Sequence, residues 1–112
     1  MDEEQIRSAA WSIPRGRWAS YGDVAERIGH PGAARAVART MLAINGVCNH
    51  PSEAPLPVWR IRLSNGRMRV PPSHHPDRVK QARYAAECDR LLDDEGGAVI
   101  DGRATETYRV DW

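Results

Sequence analysis

A capped helix that ends in glycine, a further helix opened by proline two residues on, and an Asn-Gly turn between two alternating runs predict a mainly α-helical domain with a small β-hairpin. That is the winged helix-turn-helix class. The composition agrees with one domain over residues 1–112, since 41% hydrophobic and 28% charged residues in a chain this short support a single modest core.

The elements follow in order. Asp2 to Ile13 predicts the first helix, with Ile6, Ala9, Ala10 and Ile13 as its buried stripe, and Pro14-Arg15-Gly16 ends it. Ser20 caps the second helix by accepting from the amide near Asp23. Ala25 and Ile28 face inward, and Gly29 supplies a left-handed exit. Pro31 opens the third helix, residues 31–44, where its missing N–H costs nothing. Val37, Met41 and Ile44 mark its inner face, while Gly32, Arg35 and Arg39 share another side that Ala33, Ala34 and Ala36 leave nearly bare. Residues 46–57, with three prolines and a glycine, form a loop. Val58–Leu63 and Arg67–Val70 alternate apolar and basic residues around Ser64-Asn65-Gly66, which predicts a hairpin wing offering Arg60, Arg62, Arg67 and Arg69 to solvent or phosphate. After a second loop, Pro71 to Pro76, a long helix runs from its cap Asp77 to Glu95 and stops at Gly96, with Val79, Ala82, Ala86, Leu91 and Leu92 as its stripe. Two short β pieces flank Asp101-Gly102 in the tail.

A net charge of +1 conceals a segregation: residues 6–83 carry 13 basic and 4 acidic groups, and the remainder 3 basic and 11 acidic. A slim helix face bearing arginines approaches an anionic partner closely, and duplex DNA fits. Of the 16 basic residues all but Lys80 are arginine, which suits bidentate phosphate contacts, though genomic base composition produces the same bias. No run of eighteen apolar residues exists, and the Met-Asp-Glu-Glu start lacks a signal peptide's basic and apolar regions, so a cytoplasmic chain with no membrane partner is expected. Cys48 and Cys88 stand outside any paired-cysteine motif. Neither they nor Cys48 with His50, nor His74 with His75, have a metal site's spacing, so no disulfide, metal or cofactor is expected. Cys88 reads as core, and Cys48 as a loop cysteine or, with His50, a weak dyad.

Ile13-Pro-Arg-Gly16, Ser20-Tyr-Gly-Asp-Val-Ala25, Ile28-Gly-His-Pro-Gly-Ala-Ala-Arg-Ala-Val37, Asn45, Pro57-Val-Trp-Arg-Ile61, Ser64-Asn-Gly66 and Leu91-Leu-Asp-Asp-Glu-Gly96 occur in an order that resembles the DNA-binding domain of O6-alkylguanine-DNA alkyltransferases. The resemblance covers about residues 6–96 and leaves residues 97–112 as a tail. Without the family's separate N-terminal domain, the chain is similar to the alkyltransferase-like proteins, which bind alkylated DNA without repairing it.

The resemblance implies roles. Family enzymes carry Pro-Cys-His-Arg, whose thiolate takes the alkyl group. This chain reads Pro57-Val58-Trp59-Arg60, so no catalytic residue and no enzyme is expected. The non-enzymatic relatives usually read Pro-Trp-His-Arg, and Pro71–Pro76 departs from the enzymes' glycine-rich, tyrosine-containing lid, so the lesion pocket of Asn45, Val58, Trp59 and Arg60 has a different wall. Arg35 corresponds to the finger that enters the base stack through the minor groove, against a plain reading as a solvated or phosphate-pairing helix arginine, and Tyr21 to the tyrosine that pushes the adjoining phosphate, against one as a packing residue at a helix start; Arg39, one turn further, is expected to meet a phosphate. Gly32 and Ala34 allow close approach. Asn45 either bonds within the hinge before the pocket or caps its helix, and Trp59 either stacks on a flipped base or fills the core. Arg60 holds the pocket frame, and Trp11, Trp18 and Trp112 are assigned to packing. The implied function is recognition of O6-alkylguanine in double-stranded DNA by minor-groove binding and nucleotide flipping, marking it for another pathway, with nucleotide excision repair proteins as partners. Two alternatives stay open: a damage-independent winged helix-turn-helix regulator, and a protein-interaction module using the acidic region 87–111.

Overall fold

Side-chain caps set the helix starts. In a computed structural model, which describes residues 2–72 and 75–112, helix α1 spans Glu3–Ser12, and Asp2 accepts from Glu4 N at 3.0 Å. Ser73 and His74, within the predicted loop Pro71–Pro76, lie outside the described residues. The α1 stripe falls as expected, with Ile6, Ala9, Ala10 and the following Ile13 buried. Strand β1, Ala19–Ser20, leads directly into α2, Tyr21–Arg27. There Ser20 Oγ accepts from Asp23 N at 3.0 Å while Ser20 N donates to Asp23 Oδ2 at 2.9 Å, a reciprocal box that satisfies two otherwise orphaned donors. Gly29, at φ +83°, closes α2 as predicted.

Helix α3 starts later than expected. It spans Ala34–Asn45, because Gly32 adopts φ +84°, a left-handed conformation that no helix interior accommodates. Gly32 therefore sits in the turn before α3, with Ala33 N donating to His30 O at 3.1 Å, and not on the helix face. Val37, Ala38 and Met41 are buried on α3, with Ile44 partly buried behind them. Val37, Met41 and Ile44 join the α1 stripe, Val24, Ala25, Leu56 and Ile61 in the main core.

The predicted wing does not form as a hairpin ladder. Val58–Arg60 makes a 3-10 turn, and the strand after it, β2 (Ile61–Arg62), pairs in parallel with β1, Ala19 opposite Ile61 and Ser20 opposite Arg62. The Asn-Gly turn still closes, with Gly66 N donating to Leu63 O at 2.8 Å and Leu63 N to Arg67 O at 2.9 Å. Beyond it, Arg67 bridges to Arg103 in the tail, so pairing over long sequence distances replaces the local ladder. Gly66 permits this: at φ +85° its α-carbon lies so close to Ala104 that an added Cβ would strike Ala104 O.

Helix α4 spans Arg78–Asp94, and Asp77 caps it by accepting from Val79 N at 2.8 Å. Its stripe is corrected to Tyr84, Cys88 and Leu92, because only the C-terminal half lies on the rest of the fold. Val79, Ala82 and Ala86 face solvent. Strands β3 (Val99–Ile100) and β4 (Arg103–Ala104) are antiparallel around Asp101 and Gly102, both at positive φ, as the Asp-Gly pair predicts. Trp18 is fully buried, but Trp11 is 56% exposed and Trp112 39% exposed, which overturns a packing role for Trp11. Trp112 lies under the Arg27 guanidinium at 5.3 Å.

Candidate nucleic-acid interface

The outer face of α3 carries Arg35 and Arg39, both exposed, one turn apart. Neither belongs to any of the ion pairs among the described residues, and the same holds for exposed Arg69. Ala34 and Ala36 keep this face low. The first turns of α2 and α3 and the turn after β2 enclose an open groove of about 310 Å³, lined by Tyr21, Ala34, Arg35, Ala38, Leu63 and Arg69. Tyr21 and Arg35, to which the resemblance assigns linked roles, thus line one space.

Tyr21, Ala38 and Arg69 also border an inner cavity of about 50 Å³, whose other walls include Met41, Asn45, Val58, Met68 and Tyr84. Burial pushes the Tyr21 phenol up to about 12, against the opposing pull of Arg69, and burial likewise raises Tyr84. Both phenols remain protonated at neutral pH, so these walls present hydroxyls and apolar surface with no negative charge. Asn45 resolves its two readings: Oδ1 accepts from Leu56 N at 3.2 Å, which fastens the end of α3 to the far end of the loop at residues 46–57. Arg69 was expected only as a wing arginine facing solvent or phosphate, and Met68 and Tyr84 were not singled out from the sequence. Tyr84 was signalled by the spacing of four that it shares with Cys88 and Leu92.

The other two predicted pocket residues stand elsewhere. Trp59 is partly buried and donates from Nε1 to Glu95 Oε1 at 3.0 Å, which favours its core reading. Arg60, buried, donates from Nε to Glu95 Oε1 at 3.0 Å, from Nη2 to Glu95 Oε2 and from Nη1 to Ile13 O at 3.1 Å. Burial works to raise the Glu95 carboxyl, but hydrogen bonds from Arg60 and Trp59 outweigh it and hold the pKa below 4.5. Arg62 is fully buried and donates from Nη1 to Asp89 Oδ1 at 2.8 Å and Gly66 O at 3.1 Å. Of the four wing arginines, only Arg67 and Arg69 are exposed. Arg60 and Arg62 are withdrawn from phosphate because carboxylates on α4 and at its end neutralise them.

Residues 2–96 match the family described as 6-O-methylguanine DNA methyltransferase, DNA binding domain. The chain belongs to that family. Among solved structures it is similar to S. pombe Atl1 in complex with damaged DNA containing O6-carboxymethylguanine, at 21% identity over 98% of this chain and 94% of that one, with a TM-score of 0.67. It is equally similar to S. pombe ATL in complex with DNA, at 21% identity over the same shares and a TM-score of 0.66. The O6-methylguanine methyltransferase of Mycobacterium tuberculosis matches at 24% identity over 88% of this chain but 51% of that one, with a TM-score of 0.53. These likenesses show a shared helix-turn-helix fold. No curated protein sequence matches the chain.

In this methyltransferase-family fold, the Pro57–Arg60 frame places Val58 against the inner cavity, at the position the resemblance gives to the acceptor cysteine. Trp59 follows with an indole N–H that donates and accepts nothing. Cys48 donates from Sγ to Asn45 O at 3.3 Å, while His50 directs Nδ1 to Glu87 Oε2 at 3.0 Å, and this carboxylate raises its pKa. The histidine is thus engaged on α4. Cys88 is fully buried and burial pushes its thiol up to about 12, which keeps it a thiol at neutral pH. Among the described residues no group of three His, Cys, Asp or Glu could hold a metal ion, and no helix is long and apolar enough to cross a membrane.

Proposed function

We propose that this chain binds double-stranded DNA through the outer face of α3 in the minor groove, extrudes an O6-alkylguanine past Tyr21, and holds it without taking its alkyl group. The observation that carries this reading is an exposed Arg35, outside every ion pair among the described residues, on a groove that shares the walls Tyr21, Ala38 and Arg69 with a cavity lined by Val58. Extrusion costs a few kcal/mol, and a planar cation that stacks and hydrogen-bonds in the vacated space recovers part of it. Arg39 meets a phosphate one turn away. The inner cavity of about 50 Å³ is far smaller than the roughly 300–1,000 Å³ of ligand pockets, so the base itself sits toward the outer groove and only its alkylated edge reaches Val58 unless the walls give way.

With no thiol at residue 58 and no acceptor nitrogen at residue 59, the lesion stays in the DNA. The chain then serves as a mark, and nucleotide excision repair proteins are the partner class this reading requires. Competition binding between an O6-methylguanine duplex and its unmodified counterpart tests the core of it. Tighter binding to the modified duplex is expected, Arg35→Ala should remove most of that preference, and intact-mass measurement should find no alkyl group on the protein. An unchanged preference in Arg35→Ala removes the finger role. The tightness of the cavity favours a second reading, a regulator that uses the same helix without regard to damage, and equal affinity for both duplexes would select it.

A further inference from the structure

The tail beyond residue 96 lies outside the family match, yet it is built into the start of α2. Trp18 N donates to Tyr108 O at 3.1 Å and Val110 N to Trp18 O at 2.8 Å, so the tail runs parallel along the chain at Trp18, next to the strand that pairs with β2. Trp18 Nε1 adds a bond to Thr105 O at 2.8 Å. The Arg109 guanidinium lies over the Trp18 ring at 5.1 Å. It donates from Nε to Asp23 Oδ2 at 2.8 Å and from Nη2 to Asp23 Oδ1 at 3.1 Å and to Ser20 Oγ at 3.1 Å.

We infer that Arg109 is a positioning residue for lesion recognition: it locks the Ser20–Asp23 capping box and thereby fixes the direction in which Tyr21, the next residue and the shared wall of both cavities, faces the extruded nucleotide. This rests on the proposed function. A capping box alone already satisfies the first amides of α2. The additional two-pronged grip from 86 residues away does something a cap does not, since it ties the helix start to a separate layer of the fold. Arg109 touches neither the groove nor the cavity. Its influence on DNA must therefore pass through Ser20, Asp23 and Tyr21. Glu106 Oε1 accepts from Arg109 Nη1 at 2.9 Å and aims the guanidinium.

The test compares Arg109→Ala, Arg109→Gln and Arg109→Lys in the full chain by competition between O6-methylguanine and unmodified duplexes, with a fluorescent base analogue opposite the lesion to report extrusion. Arg109→Ala is expected to leave affinity for unmodified DNA within about twofold, because Arg35, Arg39 and Arg69 are untouched, while the preference for the modified duplex falls by about fivefold and the extrusion signal drops with it. Arg109→Gln, which keeps the packing on Trp18 but not the charge, should lose the preference similarly, and Arg109→Lys should retain part of it. Equal weakening on both duplexes, an unchanged preference, or loss of the folded state in both neutral variants would overturn the positioning role. If the unaltered chain shows no preference for damage, the proposed function fails first, whereas a preference that survives in Arg109→Ala sinks the tail's role alone.

Discussion

Val58 and Trp59 decide the chemistry one residue at a time. Valine at the cavity wall offers no nucleophile, and the indole of Trp59 is committed to Glu95. A cysteine placed at 58 would have the Trp59 indole, which accepts no proton, at the adjoining position, so Val58→Cys alone should remain unalkylated after incubation with an O6-methylguanine duplex. Intact-mass spectrometry checks this, and a mass increase of one methyl group would show that the other cavity walls, Arg69 among them, activate a thiol without a neighbouring histidine at 59. Glu95 is the second decisive residue. It receives Arg60, Trp59 and, at 3.4 Å, the Gly16 amide, and its side chain is 6% exposed. Glu95→Ala leaves the Arg60 cation buried without its counter-charge, a change that costs about 3–5 kcal/mol. Urea unfolding should record that loss, and a loss under about 1 kcal/mol would mean that Arg60 finds water. The family resemblance signalled Arg60 as a frame residue. Nothing local signalled its partner 35 residues on.

At the scale of elements, what was legible in the sequence was what neighbours decide. Ser20 and Asp77 cap the helices they were expected to cap, and Asp101-Gly102 turns the tail hairpin, because each acts on amides within a few residues, while Asp2, expected as the first helical residue, caps α1. The start of α3 and the wing were misread for different reasons, the first a local one and the second a demand from outside the segment. Pro31 is a good opener, but the left-handed Gly32 ends any helix there. The alternation of Val58–Leu63 was real, but β1 offers β2 a parallel edge, and Arg62 turns inward to Asp89. The two glycines separate these demands experimentally. Gly32 has no atom within 4 Å of an added Cβ, so Gly32→Ala costs only the left-handed strain of about 1–2 kcal/mol. Gly66→Ala pays the same strain and also collides with Ala104, so it should be the more destabilising by thermal melting. Equal melting shifts would mean that the 66–104 approach relaxes freely.

For the whole molecule, part of the segregated charge of the sequence is folded against its opposite. Glu95, Asp89 and Glu87 of the acidic region lie against Arg60, Arg62 and His50, and tail Arg109 lies against Asp23, which leaves less acidic surface for the protein-docking alternative. This gives stability a pH window. Burial tends to raise Asp23 and Glu95, but their hydrogen-bonded arginines win, so both are depressed in the fold below the ordinary 3.8 and 4.5. Their stabilisation is present above those values and is lost as pH falls through the depressed ones. His50, raised from 6.5 by Glu87, works in the opposite sense, present below 6.5 and lost as pH rises through its folded value. Melting temperature should therefore fall steeply on the acid side, and a profile flat to pH 2 would contradict the pairing.

Three of the arginines left outside the ion pairs belong to the face proposed to meet DNA. Arg35 and Arg69 line one groove and Arg39 is exposed one helical turn from Arg35, all outside the ion pairs among the described residues, so each phosphate they meet releases counterions and contributes about −0.9 to the slope of log affinity against log salt. Arg39 lines neither cavity, and the proposed function therefore gives it a phosphate contact without a share in reading the base. Arg39→Ala should then shallow the slope by about 1 and weaken modified and unmodified duplexes alike, leaving their ratio unchanged. Arg35→Ala should do the reverse, collapsing the ratio more than the slope. Salt titrations of both variants on both duplexes distinguish a helix that merely grips the backbone from one that also inserts a finger, and identical behaviour of the two arginines would reduce α3 to the former.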